Sequence, residues 1–196
     1  EEHAADTAAG GAEYGVADRW IRGRLGAAVQ SVRDNLASYR FDLAAQAIYE
    51  FVWYEFCDWY LELAKPVLQS ADAAPEAKRA ARRTLVEVLE ATLRMLHPLM
   101  PFITEEIWQR VGPLAGRTGP TIMLEAYPRA GDFAADADAE QQVAALKAVV
   151  LAIRQIRGEL DVPHSRATPV YVRSEREGDA EALADLAGTI ARVGNL

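Results

Sequence analysis

Cysteine is almost missing from these 196 residues: Cys57 stands alone. One thiol excludes an internal disulfide and a multi-thiolate zinc site within a single chain. Histidine is scarce too, at three residues, and no Glu-x-x-His pair occurs, so the ligand set of a di-iron helical bundle is lacking. No uncharged apolar run approaches the roughly twenty residues that span a bilayer. The opening EEHAADTAAGGAEYG has neither the basic nor the apolar region of a signal peptide, and a soluble cytoplasmic protein is the expectation. Neither a G-x-x-x-x-G-K nor a G-x-G-x-x-G phosphate loop is present, and no G-x-S-x-G elbow. Positive charge is in deficit, 21 Lys and Arg against 29 Asp and Glu for a net charge of −8, which disfavours a general nucleic-acid coat.

What is abundant is helix-forming apolar sequence. Apolar residues at 51% and charged ones at 26% suit a globular chain long enough to bury a core. The centre is Tyr39 to Pro66, where Phe51, Trp53, Tyr54, Phe56, Trp59 and Tyr60 crowd together and no Gly or Pro intervenes before Pro66. Ile48, Phe51, Val52, Phe56, Trp59, Tyr60 and Leu63 recur at helical spacing and predict one buried stripe. A rod of that span is about 40 Å long, so only other long helices can cover it.

Those helices lie on either side. Residues 1–15 are Ala- and Gly-rich, expected to be a disordered or linker lead-in. Val16, Trp20, Val29, Val32 and Leu36 mark a first helix to Ser38, with Asn35–Arg40 turning into the second and Asp42 at its positive end. Pro66 and Gln69–Pro75 are expected to close the second helix and open a third, with Pro75 in its first turn. Leu85, Val88, Leu89, Thr92 and Leu96 form its stripe, and Glu90 with Arg94 is expected to pair on its outer face for a few tenths of a kcal/mol. Pro98 and Pro101 break the chain after His97, and a short fourth helix ends at Gly112. His97 is expected to bond a carbonyl at the helix end. Residues 16–112 thus form an antiparallel helical bundle. Residues 113–131, rich in Gly and Pro, are a connecting loop with a short extended piece at Thr121–Leu124. In residues 132–196 a helix through Val143, Leu146, Val149, Val150, Ile153, Ile156 and Leu160 precedes a strand at Pro169–Arg173 and a helix at Ala180–Val193. The fold class is mainly α: the bundle followed by a small, truncated α/β appendage whose strand awaits partners.

Catalytic constellations are absent, and the chain reads as non-catalytic. Cys57 among aromatics reads as a buried structural thiol. Glu55, Asp58 and Glu62 share a face and suit an ion-pair surface against first-helix arginines; a carboxylate metal site is the sharper alternative. Residues 17–40 carry a local charge of +3 and residues 131–140 one of −4, so a basic face on an acidic protein remains open.

The runs RFDLAAQAIYEFVWYEFCDWYLELAKP (Arg40–Pro66) and LEATLRMLHPLMPFITEEIW (Leu89–Trp108) closely resemble the anticodon-binding region of bacterial valyl-tRNA synthetases. ADRWI, TIMLEAYP and VVLAIRQIRGELDV follow that family's order, and the resemblance covers about residues 14–193. It implies the helical bundle of a class I synthetase that meets the anticodon stem-loop of tRNA(Val). It also implies a longer, monomeric parent that charges tRNA with valine, using ATP and Mg in an upstream catalytic domain and editing threonine in an inserted one. The HIGH and KMSKS signatures are not in this chain, so no cofactor is expected here. The family's C-terminal coiled coil is likewise expected beyond residue 196.

Anticodon bases are unstacked and are read by ring stacking and edge hydrogen bonds. Arg40 and Phe41, at the turn into the second helix, suit that task. Arg22 and Arg24 offer guanidinium groups to phosphates or base edges, and Ile103 resembles an apolar family position near the anticodon. Each has a plain reading as well: a helix staple for Phe41, solvated surface for Arg22 and Arg24, core for Ile103. Weak, salt-sensitive tRNA binding is expected. The competing class is an α-helical protein-interaction scaffold using the aromatic face of the second helix, and the exposure of Trp53, Tyr54 and Trp59 separates the two.

Overall fold

A computed structural model of the chain describes residues 14–163, 166, 169–171 and 187–192. It divides into two compact units, Glu1–Asp136 and Ala137–Leu196.

In the first unit α1 spans Val16–Ala37. Its start is held by Asp18, whose Oδ2 accepts the Gly15 N–H at 3.1 Å. A 29-residue rod follows as three contiguous pieces: α2 (Phe41–Glu50), a π-helical stretch (Phe51–Tyr60) and α3 (Leu61–Gln69). Then come α4 (Pro75–Leu96) and α5 (Pro101–Val111), each with proline in its first turn, where the missing N–H costs nothing.

The π-helical stretch corrects the expectation of uniform α-helix. The rod buries Ala44, Ile48, Phe51, Phe56, Tyr60 and Leu63. At about 100° per residue, α winding would carry Phe56 roughly 140° round from Phe51. The wider i→i+5 winding, seen where Leu61 N–H bonds Phe56 O, brings it back to the buried side. Pro66 does not end the rod either. Its missing donor and its ring disfavour a helix interior, yet the helix runs on to Gln69, where Ser70 turns extended.

Two fixed points give the helix directions. At one end the Tyr60 hydroxyl donates to Asp18 Oδ1 at 2.6 Å and lies 3.4 Å from the Ala81 carbonyl, joining α1, the rod and α4. At the other, the Tyr127 hydroxyl donates to Met95 O of α4 at 3.1 Å while Arg33 of α1 lies over its ring at 5.8 Å. So α1 and α4 run parallel, and the rod runs antiparallel to both. The turns that follow α1 and α4 therefore lie at the same end of the bundle.

Burial pushes the Asp18 carboxyl above the ordinary carboxylate range, partly offset by hydrogen bonds, Tyr60's foremost. A raised folded-state value means this group favours the fold at low pH and loses that advantage as pH rises through it. Tyr60→Phe removes the buried donor and is expected to cost about 1–3 kcal/mol at neutral pH. Urea titrations should show the deficit shrinking in acid, where Asp18 is protonated.

Glu90 and Arg94 are not on an outer face. Both are buried, joined by two bonds of 2.8 Å, because α4 is covered there by α5 and the segment after it. Trp108 Nε1 adds a bond to Glu90 Oε1 at 3.1 Å, and Arg117 Nε lies 3.3 Å from the same oxygen. Leu93, Trp108 and Ile122 pack beside this network, with Leu89 and Val111 against them. The extended piece expected at Thr121–Leu124 is a 3-10 turn over Ile122–Leu124, pinned by Glu105, whose Oε2 accepts from Thr121 Oγ1 at 2.7 Å and Ile122 N–H at 3.2 Å. Gly26 of α1 lets Phe133 approach; a Cβ there would meet the Phe133 carbonyl at 2.8 Å.

In the second unit α6 spans Ala137–Glu159. Val143, Leu146, Val150 and Ile153 are buried as expected, but Ile156 and Leu160 are exposed. The expected strand is not formed in its described residues, Pro169–Tyr171, since a lone strand has no ladder to join. Val172 and Arg173 lie outside the described residues, as does most of the helix expected at Ala180–Val193, of which residues 187–192 are helical. Residues 1–13 of the expected lead-in also lie outside.

Candidate nucleic-acid interface

The first of the two co-located turns ends α1. Arg40 N–H bonds Asn35 O at 2.8 Å and Tyr39 N–H bonds Leu36 O at 3.1 Å. This pair is the Schellman pattern, which usually places glycine at the left-handed position. Here that position is Tyr39, at φ 58°. Its ring is 81% exposed and meets Phe41, itself 56% exposed, edge-on at 6.4 Å. Between them Arg40 grips Asp42 through Nε–Oδ1 at 3.0 Å and Nη2–Oδ2 at 2.8 Å. Hydrogen bonding from Arg40 holds the Asp42 carboxyl down at about 2, so the pair stays ionised throughout the physiological range.

The second turn joins α4 to α5. His97 Nδ1 meets Thr104 Oγ1 at 2.7 Å, and Thr104 Oγ1 in turn lies 2.8 Å from Met100 O. His97 thus braces the turn through a hydroxyl, not the carbonyl expected. The turn presents Leu99, Met100, Phe102 and Ile103, with Phe102 90% and Ile103 49% exposed.

Arg40, Phe41 and Ile103 are accordingly brought to one end of the bundle. Arg22 and Arg24 are set apart, about 20 Å or more along α1 at 1.5 Å per residue. Arg22 pairs with Glu87 of α4 and stacks over the Tyr14 ring at 4.6 Å. Arg24 grips Glu55 bidentately at 3.0 and 2.9 Å. The two turns also expose Tyr39 and Phe102, which the sequence did not single out. Tyr39 carried no signal, since glycine is the usual mark of that conformation. Phe102 carried one: it follows Pro101 at an α5 start, and first-turn side chains often point away from the bundle.

The carboxylate face holds cations. Glu55 takes Arg24, Glu62 takes Lys65, and among the described residues no three His, Cys, Asp or Glu side chains gather as a metal site requires. Cys57 is only partly buried, and burial followed by the Asp58 charge raises its thiol, leaving it a poor nucleophile. A cleft of about 380 Å³ beside Glu90 is lined by Arg83, Glu87, Arg94, Arg117 and Asp132. Its carboxylates are occupied: Glu87 by Arg22, Glu90 by Arg94, Asp132 by the Arg129 N–H.

A helical bundle presenting exposed rings and a guanidinium at one end has the form of a domain that reads an RNA loop. Residues 18–172 match the family described as anticodon-binding domain of tRNA ligase, and the chain belongs to that family. It is 49% identical over 185 residues to the valine–tRNA ligase of Dechloromonas aromatica (strain RCB). That match covers 94% of the chain and 19% of the relative's length. Among the described residues no helix is long and apolar enough to cross a membrane.

Proposed function

We propose that the chain is the anticodon-binding part of a valine–tRNA ligase, and that its Tyr39–Phe41 and Leu99–Ile103 turns receive the anticodon loop of tRNA(Val). The observation carrying this is the meeting of two exposed, ring-bearing turns at one end. Tyr39, Phe41 and Phe102 supply stacking faces, Arg40 a planar guanidinium for a base edge, Ile103 an apolar floor, and Arg33 a nearby cation for phosphate. Attachment of valine, with ATP and Mg, belongs to a catalytic domain elsewhere in the longer polypeptide. The whole acts as a cytoplasmic monomer. Residues 113–131 serve as the connector of the bundle to the C-terminal subdomain.

The site is close to electrically neutral, Arg33 and Arg40 being matched by Asp34 and Asp42. Stacking must therefore carry the recognition, at about 1–3 kcal/mol per base. With one or two phosphates engaged, log K should fall with log salt at a slope of about −0.7 to −1.4. Titrating the chain with tRNA transcripts bearing valine or unrelated anticodons should show tighter binding of the valine set, and Arg40→Ala should erode that preference while leaving the circular dichroism spectrum unchanged. Equal affinity for both sets at moderate salt would oppose base reading.

A further inference from the structure

A second aromatic group lies on the rod away from the anticodon end. Tyr49 stacks on Trp53 with centroids 6.2 Å apart and planes within 5°, and meets Tyr54 edge-on at 5.9 Å and 89°. All three rings are about half exposed, Trp53 at 53%. Each ring holds its neighbour, so the patch is ordered before anything covers it. Contiguous Trp and Tyr with one face free are the usual anchors of protein interfaces.

Charge selects the occupant. Glu50 lies one turn before Tyr54 and Asp58 one turn after it, and neither is ion-paired among the described residues. Glu50 has only the amide of Gln46, at 2.8 Å. Glu50 also borders the groove between α1 and the rod that Arg24 lines, where Glu55 holds that arginine. Two unneutralised carboxylates repel RNA phosphates. They also oppose a two-fold contact with a second copy, which would set the same carboxylates against each other. They suit a protein surface bearing arginine or lysine, whose cation would lie over Trp53 and between the carboxylates. The chain spans 19% of the length of the ligase it resembles, so most of such a protein lies outside these residues, tethered at high effective concentration.

We propose that Tyr49, Trp53 and Tyr54, with Glu50 and Asp58, seat an arginine- or lysine-bearing surface contributed by the same polypeptide outside these 196 residues. This rests on the reading of the chain as part of a longer ligase. Hydroxyl-radical footprinting read by mass spectrometry tests it on this chain, on the full-length polypeptide, and on each with tRNA(Val). Oxidation of Tyr49, Trp53 and Tyr54 should fall several-fold in the full-length protein. Glu50→Arg with Asp58→Arg should restore it there, the folded chain otherwise unchanged by circular dichroism. Equal oxidation in both proteins overturns the proposal. So does protection that appears only with tRNA, or only as the concentration of this chain rises. The anticodon reading fails by a different sign: Tyr39 and Phe102 remaining equally reactive when tRNA is added.

Discussion

Glu90→Ala should destabilise the bundle by about 3–5 kcal/mol, the cost of leaving one partner of a buried ion pair alone. Glu90 is 2% exposed and collects two bonds from Arg94 and one from Trp108, with Arg117 close by. Its removal leaves the buried Arg94 guanidinium with the Ala126 carbonyl, and frees the Trp108 N–H in an apolar pocket. Against a total of about 5–15 kcal/mol for an ordinary domain, that is a large share. Glu90→Gln keeps an acceptor for Trp108 and should lose less. Glu90→Leu combined with Arg94→Met should recover most of the loss, since well-packed apolar residues often replace a buried pair at little cost. Urea unfolding followed by circular dichroism measures all three. A loss for Glu90→Ala below about 1 kcal/mol would show that the pair behaves like an exposed one.

Tyr39→Gly should move stability and binding in opposite directions. A left-handed conformation costs a side-chain-bearing residue about 1–2 kcal/mol that glycine avoids, so the variant should unfold at higher urea. The same change deletes the most exposed ring of the first turn, and tRNA affinity should fall by about 1–3 kcal/mol, roughly 5-fold to 150-fold. Tyr39→Ala, which keeps the backbone strain, should lose affinity without gaining stability. Phe102→Ala should weaken binding with stability nearly unchanged, because its ring touches little. If Tyr39→Gly binds tRNA as well as the parent chain, the strained turn serves some other end.

Helix existence was legible wherever the signal is local. Pro75 and Pro101 start α4 and α5, and Trp20, Val29 and Val32 of the α1 stripe are buried, as are Val88 and Thr92 of the α4 stripe. Pro66 misled because it removes one donor without preventing the three residues after it from continuing the helix. Glu90 and Arg94 misled because i,i+4 spacing says that two side chains meet and nothing about which face covers them. Arg40 and Phe41 could be named because a turn between two helices exposes its residues. Arg22 and Arg24 look equally available in the sequence, yet Glu87 and Glu55 meet them only after α1, the rod and α4 pack.

The sequence by itself determined an α-helical bundle and its order of helices, because periodicity, proline and capping act within a few residues along the chain. Tertiary packing decided the rest. Whether the rod winds as α or π depends on which side of it is covered. Whether an ion pair is buried depends on Trp108 arriving over it. Whether two distant turns share one end depends on α1 and α4 running the same way, and no local interaction can specify the direction of a helix packed beside another.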